Sequence, residues 1–205
     1  MMKPLLSMLL VGLALTACAP KEAGGGPAKV PEKFKVEFTT TVGNFTVEAT
    51  RAWAPLGAER FHEMVDTGFY QDIAFFRVIG GFMVQFGVHG NPAVSAKWKT
   101  ATIKDDPVIQ ANERGTISFA MAGPNTRTTQ LFINFKHNKP LNAMGFAPFA
   151  KVIQGMDVVD KIYKVGEGAP GGPGPNQGKI QAEGNAYLTK EFPKLDYIKS
   201  AKFVQ

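Results

Sequence analysis

The segment Phe75–Gln85, FFRVIGGFMVQ, contains two apolar runs separated by the pair Gly80–Gly81. The first run has the two-residue alternation of a β-strand, and the glycine pair predicts a tight connection to a second strand. Arg77 occupies a position where this alternation calls for another apolar side chain. Because an ionised group is costly to remove from water without a partner, two interpretations stand. Either the guanidinium reaches solvent or a carboxylate, or it is held over an apolar surface to act there.

The segments around this hairpin predict a mainly β fold. Residues 34–41 and 44–50 alternate around a turn at Gly43, and Pro55 opens a helix that Gly68 ends. The pattern then predicts a loop at 90–106, strands at 115–122, 129–135 and 146–152, a short helix at 155–162, a last strand at 179–182 and a helical tail at 188–203. Many short strands without a strand–helix repeat favour an antiparallel sheet closed into a barrel.

The N-terminus has the features of an export signal. Lys3 is followed by the apolar run Leu5–Leu15, which is too short to cross a bilayer, and then by Leu15-Thr16-Ala17-Cys18. This resembles a bacterial lipobox, in which the cysteine is acylated and becomes residue one after cleavage; a small buried hydrophobe is the alternative role for Cys18. The sequence therefore predicts a lipoprotein signal peptide at 1–17, a lipidated Cys18 with a flexible Gly/Pro-rich tether at 18–33, and a location in the bacterial envelope, in the periplasm.

Several functional classes are disfavoured. The net charge is +6, but Lys and Arg are spread along the chain, which argues against a nucleic-acid interface. His62, His89 and His137 are isolated in sequence, so no metal site and no cofactor are expected. The run Gly166–Gly171 matches G-x-G-x-x-G, but Pro170, Pro173 and Pro175 exclude the helix that a dinucleotide site requires, so a loop is predicted.

Three linked segments resemble cyclophilins, the peptidyl-prolyl cis–trans isomerases: FFRVIGGFMVQ at 75–85, SFAMAGPNT at 118–126 and QLFI at 130–133. The resemblance extends over about residues 34–182 and implies a closed eight-stranded antiparallel β-barrel capped by two α-helices, with a substrate groove on its outer surface. On this basis we predict an isomerase domain at 34–186. The remaining residues, 187–205, are predicted to form a C-terminal helical extension.

The resemblance also assigns roles to individual residues. Arg77 matches the catalytic arginine. The positions that match the proline pocket are Phe82, Met83, Phe132 and Leu141, and those that match the groove lining are Gln85, Ala120, Met121 and Gln130. Phe146 stands for a pocket histidine, Phe76 stands where the family often has histidine, and Pro140 replaces a tryptophan. From periodicity alone, Phe82, Met83 and Phe132 would instead be core residues.

The expected function is isomerisation of X–Pro bonds in proline-containing polypeptides by a monomer that is attached to a membrane through Cys18. This chemistry needs a fixed hydrogen-bond donor beside an apolar pocket, and Arg77 supplies such a donor at any relevant pH. A non-catalytic chaperone or scaffold that binds proline segments is the alternative. A purely structural lipoprotein is a third interpretation, but it has no need for a polar-lined apolar groove.

Overall fold

The computed structural model describes residues 30–205, so the predicted signal peptide, Cys18 and most of the tether lie outside the described residues. The strands are β1 Lys33–Thr40, β2 Gly43–Thr50, β3 Ile73–Ala74, β4 Arg77–Ile79, β5 Met83–Phe86, β6 Thr116–Phe119, β7 Leu131–Asn134, β8 Pro148–Gln154 and β9 Tyr197–Val204. The helices are α1 Pro55–Asp66, α2 Pro92–Lys99, α3 Pro140–Ala143, α4 Met156–Lys161, α5 Gln177–Glu183 and α6 Asn185–Glu191, with a 3₁₀ turn at Arg51–Trp53.

All nine strands belong to one antiparallel sheet, in the order β3-β9-β1-β2-β8-β6-β7-β5-β4. Within residues 30–205 no strand pairing joins β3 to β4, so the sheet is an open, curled half-barrel rather than the closed eight-stranded barrel that was expected. These two edge strands are separated in the chain by Phe75 and Phe76 alone. The chain thus passes directly from one edge of the curled sheet to the other, which brings the two edges together.

The core lies between the inner face of the sheet and α1. In β1 and β2 every second residue is buried, as the alternation of Phe34–Thr41 and Asn44–Thr50 predicts. Phe38 and Phe45 stack with ring centroids 5.0 Å apart, and Phe61 of α1 lies 5.2 Å from Phe149 of β8. Burial of each such side chain contributes roughly 1.5–3 kcal/mol to folding, so this aromatic core stabilises the packing of α1 against the sheet.

The C-terminal extension is only partly helical. Helix α6 ends at Glu191, because Pro193 follows and the residue before a proline is disfavoured in the α conformation. After a short connection, Tyr197–Val204 form β9, which pairs with β1 on one side and with β3 on the other. The prediction of a helical tail is therefore wrong for its second half. The extension covers backbone groups of β1 that an edge strand would leave unpaired.

The structure corrects the prediction at two further places. The expected loop at 90–106 contains α2, so the fold has more helices than the two expected. The expected last strand at 179–182 lies within α5, because the side chain of Asn176 accepts a hydrogen bond from the Lys179 backbone N–H at 3.1 Å and caps a helix there. None of the helices within residues 30–205 is long and apolar enough to cross a membrane.

Candidate active site

The β4–β5 hairpin places Arg77 on the outer face of the sheet. Gly81 adopts a φ of 69°, which a glycine accepts without strain, and the N–H of Phe82 donates to the carbonyl of Ile79 at 3.0 Å. Val78 is fully buried in the core, whereas its neighbours Arg77 and Ile79 are half-buried on the opposite face. The predicted pair of strands joined at the glycines is therefore confirmed.

A cavity with a volume of about 310 Å³ opens on this outer face. Nine of the ten predicted site residues line it: Arg77, Phe82, Met83, Gln85, Ala120, Met121, Phe132, Leu141 and Phe146. The tenth, Gln130, accepts a hydrogen bond at its Oε1 from Gln85 Nε2 at 2.9 Å. Residues from four separate stretches of the chain thus meet at one pocket.

The apolar part of the pocket is separate from the main core. Met83, Phe132 and Leu141 form a small cluster of their own, with Phe82 and Phe146 packed against it. The rings of Phe132 and Phe146 meet edge to face with centroids 5.5 Å apart. Met83 and Phe132 are therefore buried, as periodicity predicts, but in a cluster that lines the cavity on the outer face and not in the main core.

Arg77 is held by side chains on two sides. Its Nε donates to Glu167 Oε1 at 2.5 Å and its Nη2 donates to Glu167 Oε2 at 2.7 Å, a bidentate ion pair. Its Nη1 donates to Gln85 Oε1 at 2.9 Å. The hydrogen bonds from Arg77 hold the pKa of the Glu167 carboxyl below its usual range. Both interpretations of the arginine are thus realised, since it pairs with a carboxylate and also lies beside an apolar pocket.

Sequence reasoning missed Glu167 and the loop that contains it. Gly168, Ala169, Pro175 and Gln177 of this loop also line the cavity, as does Phe76. A carboxylate partner for Arg77 was one expected possibility, but the chain has 17 acidic residues and Glu167 is 90 positions away from Arg77. The signal that could have pointed to it is the Gly-rich run that was rejected as a nucleotide motif.

A network of buried amides supports the pocket from behind. Asn138 Nδ2 donates to the carbonyl of Phe82 at 2.9 Å and to Asn134 Oδ1 at 2.7 Å. Asn112 Nδ2 donates to the carbonyl of Phe146 at 2.8 Å, and Asn134 Nδ2 joins the two halves by donating to Asn112 Oδ1 at 3.2 Å. Asn112, Asn134 and Asn138 are all almost fully buried. The network therefore fixes the backbone of two pocket residues that lie on different segments.

The family profile described as "Cyclophilin type peptidyl-prolyl cis-trans isomerase/CLD" matches residues 35–182. The chain belongs to the cyclophilin family. It is 41% identical over 136 residues to a peptidyl-prolyl cis-trans isomerase of Acinetobacter baylyi, an alignment that covers 63% of this chain and 72% of the relative. It is 36% identical over 145 residues to peptidyl-prolyl cis-trans isomerase B of Escherichia coli, covering 66% of this chain and 88% of the relative.

Solved structures agree on the cyclophilin fold. A crystal structure of a cyclophilin-type peptidyl-prolyl cis-trans isomerase from Cryptosporidium parvum, in the presence of the dipeptide Ala-Pro, superposes with a TM-score of 0.60 at 21% identity. The superposition covers 83% of this chain and 99% of that one. At this identity the comparison establishes the fold of the cyclophilin domain, and the roles of its pocket residues must be argued from their geometry.

That geometry provides a cation and an apolar surface side by side. Arg77 and Glu167 are the charged side chains among the described residues that line the pocket, and none of the three histidines lines it. Within residues 30–205 the structure brings together no group of three His, Cys, Asp or Glu side chains that could hold a metal ion. The cyclophilin pocket can therefore bind an apolar ring and present guanidinium N–H donors to an atom at its edge.

Proposed function

We propose that this protein catalyses cis–trans isomerisation of X–Pro bonds in polypeptides, with Arg77 as the catalytic residue. The observation that carries the proposal is the position of the Arg77 guanidinium, which lines the same pocket as the apolar side chains of Met83, Phe132 and Leu141. Membership of the cyclophilin family supports it, since relatives with a similar sequence are named as peptidyl-prolyl cis-trans isomerases.

The reaction makes and breaks no covalent bond. A peptide bond resists rotation by about 18–20 kcal/mol because the nitrogen lone pair is delocalised into the carbonyl. In the twisted transition state this lone pair is localised on the proline nitrogen, which can then accept a hydrogen bond. A guanidinium N–H held at that atom stabilises the twisted state more than either planar isomer, and its orientation is fixed by folding before the substrate arrives.

The remaining pocket residues hold the substrate. The pyrrolidine ring fits against the floor formed by Phe82, Met83, Phe132, Leu141 and Phe146, where its burial excludes water from the reacting nitrogen. Gln85 and Gln130 are linked by a side-chain hydrogen bond beside this floor, and the Gln130 carbonyl accepts from the Ala120 N–H at 2.9 Å. These groups border the path of a peptide that runs across the pocket. One chain supplies both Arg77 and the apolar floor, so the proposed reaction requires no second copy, and the protein is proposed to act as a monomer.

A test compares the full chain, purified in detergent, with its Arg77→Ala variant on a short Ala-Pro peptide. The expected result is rapid catalysed exchange by the wild-type protein and a loss of about a hundredfold or more in the variant. Binding of the peptide by the wild-type protein without any catalysed exchange would instead establish the non-catalytic proline-binding chaperone. Equal exchange by both proteins would show that Arg77 is not the catalytic residue.

We further propose that the protein works in the bacterial envelope as a lipoprotein anchored through Cys18. The support is the pattern of the sequence: an apolar run followed by Leu15-Thr16-Ala17-Cys18 and then by a Gly/Pro-rich tether. Growth of expressing cells with a radiolabelled fatty acid should label the wild-type protein and leave Cys18→Ser unlabelled. Equal labelling of the two proteins, or none in either, would contradict the proposed anchor.

A further inference from the structure

The loop 166–177 forms one wall of the pocket and directs the carboxylate of Glu167 at Arg77. We propose that Glu167 is a positioning residue that holds the Arg77 guanidinium in the orientation in which the N–H groups not bound to Glu167 or Gln85 face the proline. This role rests on the proposed isomerase activity and assigns a function to the Gly-rich run around Glu167.

The hydrogen bonds of the guanidinium leave one N–H free for a substrate and a second N–H on a weak sulfur acceptor. Arginine has five N–H groups in one plane. Glu167 accepts one from Nε and one from Nη2, and Gln85 accepts one from Nη1. The second N–H of Nη1 meets only the thioether sulfur of Met83, a weak acceptor, at 3.9 Å, and the second N–H of Nη2 remains free. Glu167 binds the edge of the guanidinium formed by Nε and Nη2, and Gln85 binds Nη1. The guanidinium therefore cannot rotate without breaking at least one of these hydrogen bonds.

Glu167 is itself fixed by the backbone around it. Its Oε1 accepts a hydrogen bond from the Gly168 N–H at 2.9 Å, and its carbonyl accepts from the Gly174 N–H at 2.8 Å. The N–H of the preceding residue, Gly166, donates to the carbonyl of Val78 at 2.9 Å, and Val78 is the neighbour of Arg77 in β4. A backbone hydrogen bond next to Glu167 thus holds the loop against β4, the strand that contains Arg77.

The glycines of the loop permit this arrangement. A Cβ atom at Gly172 would lie 2.5 Å from the Glu167 carbonyl oxygen, and one at Gly174 would lie 2.9 Å from it. Both distances are shorter than a side chain tolerates, so only glycine allows the loop to fold back over Glu167. Glycine at positions 172 and 174 is therefore required for the loop conformation that directs the Glu167 carboxylate at Arg77.

A second role for the same ion pair makes the opposite prediction. If Glu167 instead competed with the substrate for Arg77, its removal would lower KM and raise kcat/KM. A positioning role requires that removal lowers kcat and leaves KM nearly unchanged, because the binding floor is intact while the donors lose their orientation. The split between kcat and KM therefore separates the two roles.

The experiment uses the full chain in detergent with a neutral Ala-Pro peptide and compares the wild-type protein, Glu167→Gln and Glu167→Ala. The matched control is Glu183→Gln, which removes the same charge from an exposed position of α5 outside the pocket. We expect kcat to fall about tenfold in both Glu167 variants with KM within about twofold, and the control to match the wild-type protein. The NMR resonance of the Arg77 Nε–H should shift in both Glu167 variants.

An active wild-type protein whose kcat is unchanged in the Glu167 variants would overturn the positioning role and leave the proposed function standing. A rise in kcat/KM in those variants would overturn it in favour of competition with the substrate. An inactive but folded wild-type protein would overturn the proposed function and this role together, so the two failures are distinguishable.

Discussion

Arg77 and Gln85 face each other directly across the β4–β5 ladder, and Arg77 Nη1 donates a hydrogen bond to Gln85 Oε1 at 2.9 Å. The side chain of Gln85 is nearly buried, and its Nε2 donates a hydrogen bond to Gln130 Oε1. The guanidinium is therefore positioned by the register of a hairpin whose turn is specified by two glycines. Any change that shifts this register would also displace the proposed catalytic group.

Arg77 should matter for activity but little for stability. Its side chain is 27% exposed and its partner Glu167 is 42% exposed, and such ion pairs contribute about 0–1 kcal/mol to folding. We expect Arg77→Ala to change the free energy of unfolding by less than about 1 kcal/mol. The measurement is urea unfolding followed by circular dichroism.

Arg127 provides the contrast for this prediction. Its side chain is 3% exposed, and it pairs with Asp106, which accepts hydrogen bonds from two backbone N–H groups at the start of α1. Arg127→Ala should cost about 3–5 kcal/mol because it leaves a buried carboxylate without its cation. Loss of the folded spectrum in Arg77→Ala would show that Arg77 has a structural role.

Phe132 should determine how well the pocket binds proline. Replacing it by leucine shortens the floor of the pocket, and we expect kcat/KM on an Ala-Pro peptide to fall about tenfold, with a loss of about 1–2 kcal/mol in stability. Phe86→Leu makes the same chemical change in the main core, at a residue that does not line the pocket. It should cause a similar loss of stability without the loss of activity. Equal activity losses in the two variants would mean that the effect comes from the core.

The buried amides should be important for stability. Asn112→Ala removes hydrogen-bond partners from the Phe146 carbonyl and from the side chains of Ser118 and Asn134. Unpaired buried polar groups cost about 1–3 kcal/mol each, so the free energy of unfolding should fall by about 3 kcal/mol. The exposed Asn44 is the control, and Asn44→Ala should be neutral in a denaturant titration. An unchanged midpoint in Asn112→Ala would contradict the assigned network.

The pH dependence follows from the lowered pKa of Glu167. The hydrogen bonds from Arg77 stabilise the charged form of the carboxyl group and lower its pKa from the ordinary value of 4.5. The ion pair is therefore intact above pH 4.5. It is lost as the pH falls through the lowered pKa, while the arginine stays charged throughout. We expect kcat to be constant from about pH 6 to about pH 9 and to fall only in acid.

The matched measurement is the pH profile of Glu167→Gln, with circular dichroism recorded at each pH to confirm folding. This variant should show a lower kcat without the acid limb. An acid limb of the same shape in both proteins would assign it to another group.

The sequence predicted the parts of the site that depend on local pattern or on motifs shared with a family. The β4–β5 hairpin follows from alternation and two glycines, and the resemblance identified Leu141 and Phe146 on a separate segment. Glu167 could not be found in this way, because its pairing with Arg77 depends on how a loop 90 residues away folds back onto β4.

The C-terminal tail is a second case in which a long-range contact decides the structure and local sequence pattern does not reveal it. Tyr197–Val204 becomes a strand because it pairs with β1, a contact between the two ends of the described chain that periodicity within the tail does not reveal. The end of α6 was predictable, since Pro193 is a local signal. Buried asparagines such as Asn134 were not, because nothing in a single sequence distinguishes an amide in a network from an exposed one.

The most direct test of the account is an NMR experiment in which an Ala-Pro peptide is added to the isotope-labelled full-length protein in detergent. We predict exchange cross-peaks between the cis and trans forms of the peptide, together with shifts concentrated at pocket residues such as Gln85, Ala120 and Phe132. Shifts at these residues without exchange cross-peaks would contradict catalysis. Exchange with shifts confined to another surface would show that the pocket beside Arg77 is not the active site.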